Sequence, residues 1–340
     1  MTVLVTGGAG YIGSQTVRAL RERGESVVVL DSLETGHREA IGDTPLYTGD
    51  IADGALLDRI CAEWPVDAVI HFAAHKAPGE SMVDPGRYFA NNVAGTLTLL
   101  RGATRAGVRR FVFSSSCSVY GTPETLPVSE ASATRPASPY AASKLMVEEL
   151  LGWYERCHGL RHVSLRYFNA AGAAPDGRHG EDWSRTANLI PLVMRAALGR
   201  GPAVKIYGTD YPTPDGTAVR DYVHVVDLAD AHLRALDWLR SHERSATVNL
   251  GTGRGASVRE VIELVESVGG VVVPAEYAPR RPGDPVAIWA DAARAREVLG
   301  WVPRYGLPEI VRTAWRWHAT HPDGYGSPAG ALALAKAGRP

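Results

Sequence analysis

A doubly wound parallel α/β sheet with a smaller mixed α/β lobe is the architecture this sequence predicts. Short β-branched runs alternate with amphipathic segments through the first half, a glycine cluster joins the first strand to the first helix, and after residue 169 the pattern breaks into Gly-, Pro- and polar-rich stretches. In order, "TVLVT" reads as a strand, "YIGSQTVRALRER" as a helix, "SVVVLD" as a strand, "ALLDRICAEW" as a helix and "DAVIHFAA" as a strand. A helix over "GTLTLLRGATRAG" then leads to the strand "RRFVFSSS", and a helix opening at "PYAASK" leads to "RHVSLRYFN". Near-continuous apolar strands separated by helices imply a parallel sheet covered on both faces, which binds ligands at the carboxyl ends of its strands.

The later half holds two further clear helices, over "SVREVIELVESVG" and over "GLPEIVRTAWRWHATHP", the second ending before Pro322. The expected division is a nucleotide-binding domain over 1–168, a mainly substrate-binding lobe over 169–325 with some segments returning to the first domain, and a weakly ordered tail over 326–340.

With 340 residues, 45% of them apolar and 21% charged, the chain can bury a large core. Its net charge of -1 gives no overall attraction to nucleic acid or to anionic lipid, so a polyanion must be bound locally. Cys61, Cys117 and Cys157 are too scattered for a disulfide framework and lack zinc-ligand spacing, so reduced thiols and no metal are expected. "MTVLVTGG" begins a strand without the basic start and apolar stretch of a signal peptide, and no apolar run is long enough to span a bilayer. These readings place the protein in the cytoplasm.

"TGGAGYIGS" gives both Gly8-x-Gly10-x-x-Gly13 and Gly7-x-x-Gly10-x-x-Gly13 between a strand and a helix. A turn built of glycine lets the backbone approach a pyrophosphate, whose charge meets the open N–H groups of the helix start. Alone the pattern also fits an ordinary tight turn; the strand before it, the helix after it and "VVVLD" downstream favour a dinucleotide site of Rossmann type. Asp31, 18 residues past Gly13, can accept hydrogen bonds from a ribose diol and repels a phosphate there, which predicts NAD rather than NADP.

Within "PYAASK", Tyr140 and Lys144 stand one helical turn apart, Ser138 can cap the helix and Pro139 suits its first turn. Lys144 is one of only four lysines, yet chance alone yields about 0.15 Tyr-x-x-x-Lys pairs in such a chain, so context has to decide. Positions 140, 144, 147 and 151 share a stripe that continues as apolar Val147 and Leu151, which turns the pair inward rather than leaving it on the surface. Lowering a phenol from about 10 by three pH units takes roughly 4 kcal/mol, and one ammonium about 4 Å away supplies that at an effective dielectric near 20. Tyr140 is therefore expected to be a partly ionised proton carrier whose basicity follows the charge of a neighbouring nicotinamide. Ser114, Ser115 and Ser116 end a strand at the ligand edge; one hydroxyl can bridge substrate and phenol, and the others can satisfy strand-end backbone.

Glycine turn, Asp31, strand-end serines and Tyr-x-x-x-Lys, in this order, resemble the extended short-chain dehydrogenase/reductases. The blocks "HFAAHKAPGES", "NNVAGT", "SSSCSVYG", "PYAASK", "LRYFNAAGA", "YPTPDGTAVRDYVHV", "NLGTG" and "RRPGD" resemble, in order, the UDP-glucose (UDP-galactose) 4-epimerases of that family. The resemblance implies Tyr140 as proton acceptor, Lys144 as its partner on the nicotinamide ribose and Ser116 as the hydroxyl at the sugar. Around NAD it implies Gly7, Gly10, Tyr11, Ile12, Gly13, Asp31, Asp50, Ile51, Phe72, Ala73, Lys76, Asn91, Tyr140, Lys144 and Phe168. Around the UDP-sugar it implies Ser116, Tyr140, Asn169, Asn188, Leu189, Tyr207 stacked on uracil, Arg220, Arg281 and Asp284. A dinegative diphosphate needs fixed cations, and Arg220 and Arg281 are expected in Gly/Pro-rich loops.

The implied reaction is reversible epimerisation at carbon four through a 4-keto sugar, by a homodimer. His75 and Pro78 depart from the more apolar surroundings expected of Lys76, and Ile288 leaves open the tolerance of N-acetylated sugars. Other UDP-sugar 4-epimerases are the nearest rivals. A nucleotide-sugar 4,6-dehydratase needs an acid where Ser116, Cys117 and Ser118 offer none, and an NAD-sensing regulator has no need of the Tyr/Lys pair.

Overall fold

Seven parallel strands form the spine of the computed structural model, which describes residues 1–281 and 283–326. The first half runs β1 (Thr2–Thr6), α1 (Tyr11–Glu22), β2 (Ser26–Asp31), β3 (Leu46–Thr48), α2 (Gly54–Glu63) and β4 (Val66–His71). It continues with α3 (Pro78–Val83), α4 (Pro85–Tyr88), a π-helical stretch over Phe89–Gly95, α5 (Thr96–Arg105), β5 (Arg110–Ser114), α6 (Pro139–His158) and β6 (Arg161–Tyr167). The second half contains β7 (Asn169–Ala171), α7 (Leu189–Ala197), β8 (Val204–Tyr207), β9 (Val219–His224), α8 (Val225–Ser241) and β10 (Ala246–Leu250). After these come β11 (Gly255–Ser257), α9 (Val258–Gly269), β12 (Ala275–Ala278), β13 (Ala287–Ile288), α10 (Ala293–Leu299) and α11 (Leu307–Thr320).

The large sheet has the order β10-β6-β5-β4-β1-β2-β3. Sequence order reverses between β1 and β4, and a crevice opens there at the carboxyl ends of the strands. Every residue of β1 is buried, as a strand covered on both faces requires. One face packs Val17 and Leu20 of α1 with Leu236 and Leu239 of α8; the other packs Leu57 of α2, Leu100 of α5 and Val147 and Leu151 of α6. Ser138 caps α6 by accepting from the Ala141 N–H at 3.2 Å, Pro139 occupies its first turn, and Gly159 ends it in the left-handed region at φ 67°. The stripe Tyr140, Lys144, Val147 and Leu151 is buried, as its spacing predicts.

The second lobe is a four-stranded sheet of β7, β9, β11 and β13, a β8–β12 pair, and helices α7, α9 and α11 around Val193, Val265 and Ile310. Val225–Leu250 packs with the first half, α8 beside α1 and β10 paired with β6 at the sheet edge. Asp230, Arg234 and Asp237 form a charged outer stripe on α8, and its apolar residues pack against α1 and the sheet. Arg220 lies on β9, not in a loop, because β9 begins inside the polar "TAVRD" run where no alternation announces it. The helix expected from residue 95 is preceded by the π-helical stretch, and β3 was too short to be read. Of the expected tail, 327–340 lies outside the described residues.

Because Leu236 is fully buried between α8 and the sheet, Leu236→Ala should lower unfolding stability by about 3 kcal/mol, read as a shifted urea midpoint with an unchanged slope.

Candidate active site

The crevice between β1 and β4 holds about 460 Å³, within the range of small-molecule sites. Gly7 turns the chain with φ +70°, where a Cβ would lie 2.5 Å from the Ala73 N; at Gly13 a Cβ would lie 2.2 Å from the Gly7 carbonyl oxygen. Neither position admits a side chain, so backbone lines the floor. Gly10 brings no capping side chain to α1 and the first turn contains no acid, which leaves the helix's positive end directed at the crevice. This is the surface a dinucleotide pyrophosphate requires, and the residues present fit NAD.

Asp31 ends β2 at the same crevice. Its carboxylate accepts from the Ala9 N–H at 2.9 Å and the Leu33 N–H at 2.8 Å, which tie the glycine turn to the following loop. Burial holds its pKa above the ordinary carboxylate value, and those two N–H groups oppose the rise. Lone pairs remain for a diol. Tyr11, Ile12, Asp50, Ile51, Phe72, Ala73, Lys76, Asn91, Tyr140 and Lys144 line the same crevice. Phe168 is buried in the core, and its neighbour Tyr167 also lines the crevice.

The chemical pair sits where α6 meets the end of β5. Lys144 Nζ donates to the Ser114 carbonyl at 2.8 Å and lies 6.0 Å from the centre of the Tyr140 ring. Burial pushes the Lys144 amine down to about 7. Burial, assisted by Tyr167, raises the Tyr140 phenol well above its ordinary value, and a hydrogen bond with Ser116 offsets part of that rise. The lowering of the phenol expected from its neighbour does not prevail: burial of both groups outweighs it. Ser116 Oγ also accepts from the Ser118 N–H at 3.2 Å, and Tyr167 shares a hydrogen bond of 2.9 Å with the Ser114 hydroxyl.

A second cluster gathers Tyr207, Arg220, Arg281 and Asp284. The Arg281 guanidinium lies 4.6 Å from the Tyr207 ring centre and donates to Asp284 at 2.9 Å, while Arg220 approaches the same carboxylate at 3.9 Å. Asn169 donates to the Asp221 carbonyl at 2.9 Å. Asn188 stands at the N-terminal boundary of α7 without a side-chain cap bond and donates to Glu181 at 2.8 Å, and Leu189 starts that helix against the second core.

Glu181 was missed by the sequence reading. It is buried on the crevice wall and accepts from Asn188, from the Thr186 hydroxyl at 2.9 Å and from Lys76 Nζ at 3.4 Å. Asp182, His37 and Tyr325 were missed as well: His37 pairs with Asp182 at 3.0 Å and stacks on Tyr325, whose hydroxyl exchanges hydrogen bonds with both backbone groups of Gly180. All four lie in loops without periodicity, and only the glycines around Tyr325 marked a turn there. His75 and Pro78 fit the loop, His75 being held through Asn92 and Pro78 opening α3.

A buried Tyr-x-x-x-Lys pair facing a glycine-floored crevice on a doubly wound sheet defines the class: a dinucleotide-dependent enzyme of the extended short-chain dehydrogenase/reductase kind. A profile of the NAD dependent epimerase/dehydratase family matches residues 3–251, and the chain belongs to that family. It is 50% identical over 326 residues to the UDP-glucose 4-epimerase of Halalkalibacterium halodurans, covering 96% of this chain and 98% of that one. Among solved structures it resembles the Brucella ovis UDP-glucose 4-epimerase in complex with NAD, with a TM-score of 0.90, 46% identity, and 92% and 97% of the two chains covered. It also resembles the Bifidobacterium longum enzyme in complex with NAD+ and UDP, with a TM-score of 0.91, 41% identity, and 95% and 100% covered.

Gly13→Ala should abolish cofactor retention, measured as nucleotide absorbance released when the purified protein is denatured. In cofactor-stripped protein, an amine near 7 when folded and 10.5 when unfolded gives the unfolded chain the extra proton between those values, so stability should rise as pH increases from about 7 toward 10. Lys144→Met should flatten that rise in urea midpoints taken across the window.

Proposed function

We infer that this chain interconverts UDP-galactose and UDP-glucose at carbon four of the sugar, as an isomerase that uses NAD. The observation that carries this reading is the placement of Tyr140, Lys144 and Ser116 at one end of the NAD crevice, with a cluster of arginines and an aromatic ring in the adjoining lobe.

NAD, when bound, supplies the hydride exchange at carbon four that makes a transient 4-keto sugar accessible. Tyr140 takes the proton of the 4-hydroxyl and returns it, and general acid–base help of this kind contributes 10²–10⁴-fold. A phenol held protonated by burial is a competent acid for the return, and it becomes a base when positive charge gathers beside it. Lys144, its amine down to about 7, carries or sheds that charge near neutral pH. Ser116, near enough to the phenol to lower its pKa, aligns the hydroxyl that loses the proton. Arg220 and Arg281 hold the diphosphate, and Tyr207 offers its face to the uracil. Anchoring by the diphosphate leaves the sugar free to turn over and present its other face.

We assign the protein to the cytoplasm as a homodimer. No helix among the described residues is long and apolar enough to cross a membrane. Met146 and Trp153, seven residues apart on α6, together with Leu97 on α5 expose apolar side chains that a second copy would cover.

Incubated with UDP-galactose and followed by NMR, the purified protein should form UDP-glucose without accumulating free NADH; a deoxy-keto product would overturn the reading. Tyr140→Phe should retain NAD and lose 10²-fold or more in turnover, about the loss expected of a proton carrier; full activity would remove the phenol from its role.

A further inference from the structure

We propose that Asp221 is the positioning residue of the substrate side, its buried carboxylate locking together the segments that carry Arg220, Asn169 and Ile288. The inference rests on the UDP-sugar reading above.

Asp221 is fully buried on β9, next to Arg220. One carboxylate oxygen accepts from the Thr252 N–H at 2.9 Å and from the Thr252 hydroxyl at 2.6 Å. The other accepts from the Gly253 N–H at 3.1 Å and the Ala290 N–H at 3.1 Å. Its backbone carbonyl takes the Asn169 amide at 2.9 Å. One residue therefore joins β7, β9, the loop after β10 and the segment after β13. The fit is close, since a Cβ on Gly251 would lie 2.5 Å from the carboxylate.

Only a carboxylate suits the position. Four donors converge on it from two separate stretches of chain, and two acidic oxygens offer about four lone-pair sites. Asparagine has a single oxygen, and its amide hydrogens would face N–H groups, leaving buried donors unsatisfied. Arg220 depends on this framework because its own side-chain contacts are few: its Val219 carbonyl at 2.9 Å and the long approach to Asp284. Its position follows from where β9 lies, and β13 pairs Ile288 directly with Arg220. Loosening Asp221 would shift the arginine and its neighbours together, while the glycine-floored crevice, built on other strands, stays in place.

The test uses the full-length enzyme with NAD bound. In Asp221→Asn, the KM for UDP-galactose and the Kd for UDP by calorimetry should both rise tenfold or more. Turnover at saturation should fall less than threefold, with NAD content at the parent level. Thr252→Val, which removes the 2.6 Å hydroxyl donor and two longer contacts to the Arg254 backbone while keeping the Thr252 N–H, should raise KM about threefold. If Thr252 acts through Arg220, adding Thr252→Val to Arg220→Ala should leave KM no higher than in Arg220→Ala. Unchanged KM and UDP affinity in both single variants, or NAD lost in parallel with turnover, would overturn the proposal. Should Asp221→Asn not fold, Thr252→Val and the double variant decide on the same readouts. A parent protein that binds no UDP overturns the underlying site reading, whereas normal parent binding with unaffected variants overturns the role of Asp221 alone.

Discussion

The burial of an ammonium and a phenol together at the first turn of α6 is the constraint around which the rest is arranged. Lys144 donates to the Ser114 carbonyl at 2.8 Å and lies 5.0 Å from the Phe113 ring centre, contacts that suit a cation, but its burial outweighs them and favours the neutral amine. Tyr140 has Tyr88 edge-on at 6.5 Å and the influence of Tyr167, surroundings that favour the neutral phenol. A site that disfavours charge on both partners makes each responsive to charge arriving from outside. The cost is carried by the scaffold: a buried sheet and a helix capped at both ends hold the pair against its tendency to reach water.

Negative charge is received in two physically different ways. At the crevice floor the donors are backbone N–H groups at a helix start, so the contact is fixed in place by glycines that cannot be replaced without collision. In the second lobe the donors are guanidinium groups on long side chains, Arg281 already stacked near Tyr207 and shared with Asp284. The first arrangement suits a group that remains in place. The second suits one that enters and leaves, because Asp284 can exchange its arginine partners with an incoming diphosphate.

Legibility in the sequence followed the same division. The glycine turn, Asp31 and the Tyr140/Lys144 stripe were readable because a strand, a turn and a helical repeat each impose spacing on consecutive residues. The charge state of the pair was not readable, since it depends on the depth of burial of both groups. Arg220 was assigned to a loop because β9 starts within a polar run. Glu181, Asp182, His37 and Tyr325 meet only through tertiary contacts between loops far apart in sequence, and no local pattern encodes such meetings.

The path of the chain between the two halves explains why the crevice and the substrate lobe keep a fixed relation. Among the crossings that join them are those at Phe168, at His224–Val225, where strand runs directly into helix, and over the four residues between Leu250 and Gly255. The first and third are bonded to one another, the Phe168 N–H donating to the Leu250 carbonyl at 3.2 Å. The second is held by His224, which caps α8, shares a hydrogen bond of 3.1 Å with Thr313 and packs against Tyr305 with ring centres 4.4 Å apart. Short, mutually bonded crossings leave little room for hinge rotation, which needs a few residues free to change their backbone angles. The freedom that epimerisation requires must then reside in the substrate's own bonds, with the diphosphate held by one half and the proton carrier held by the other.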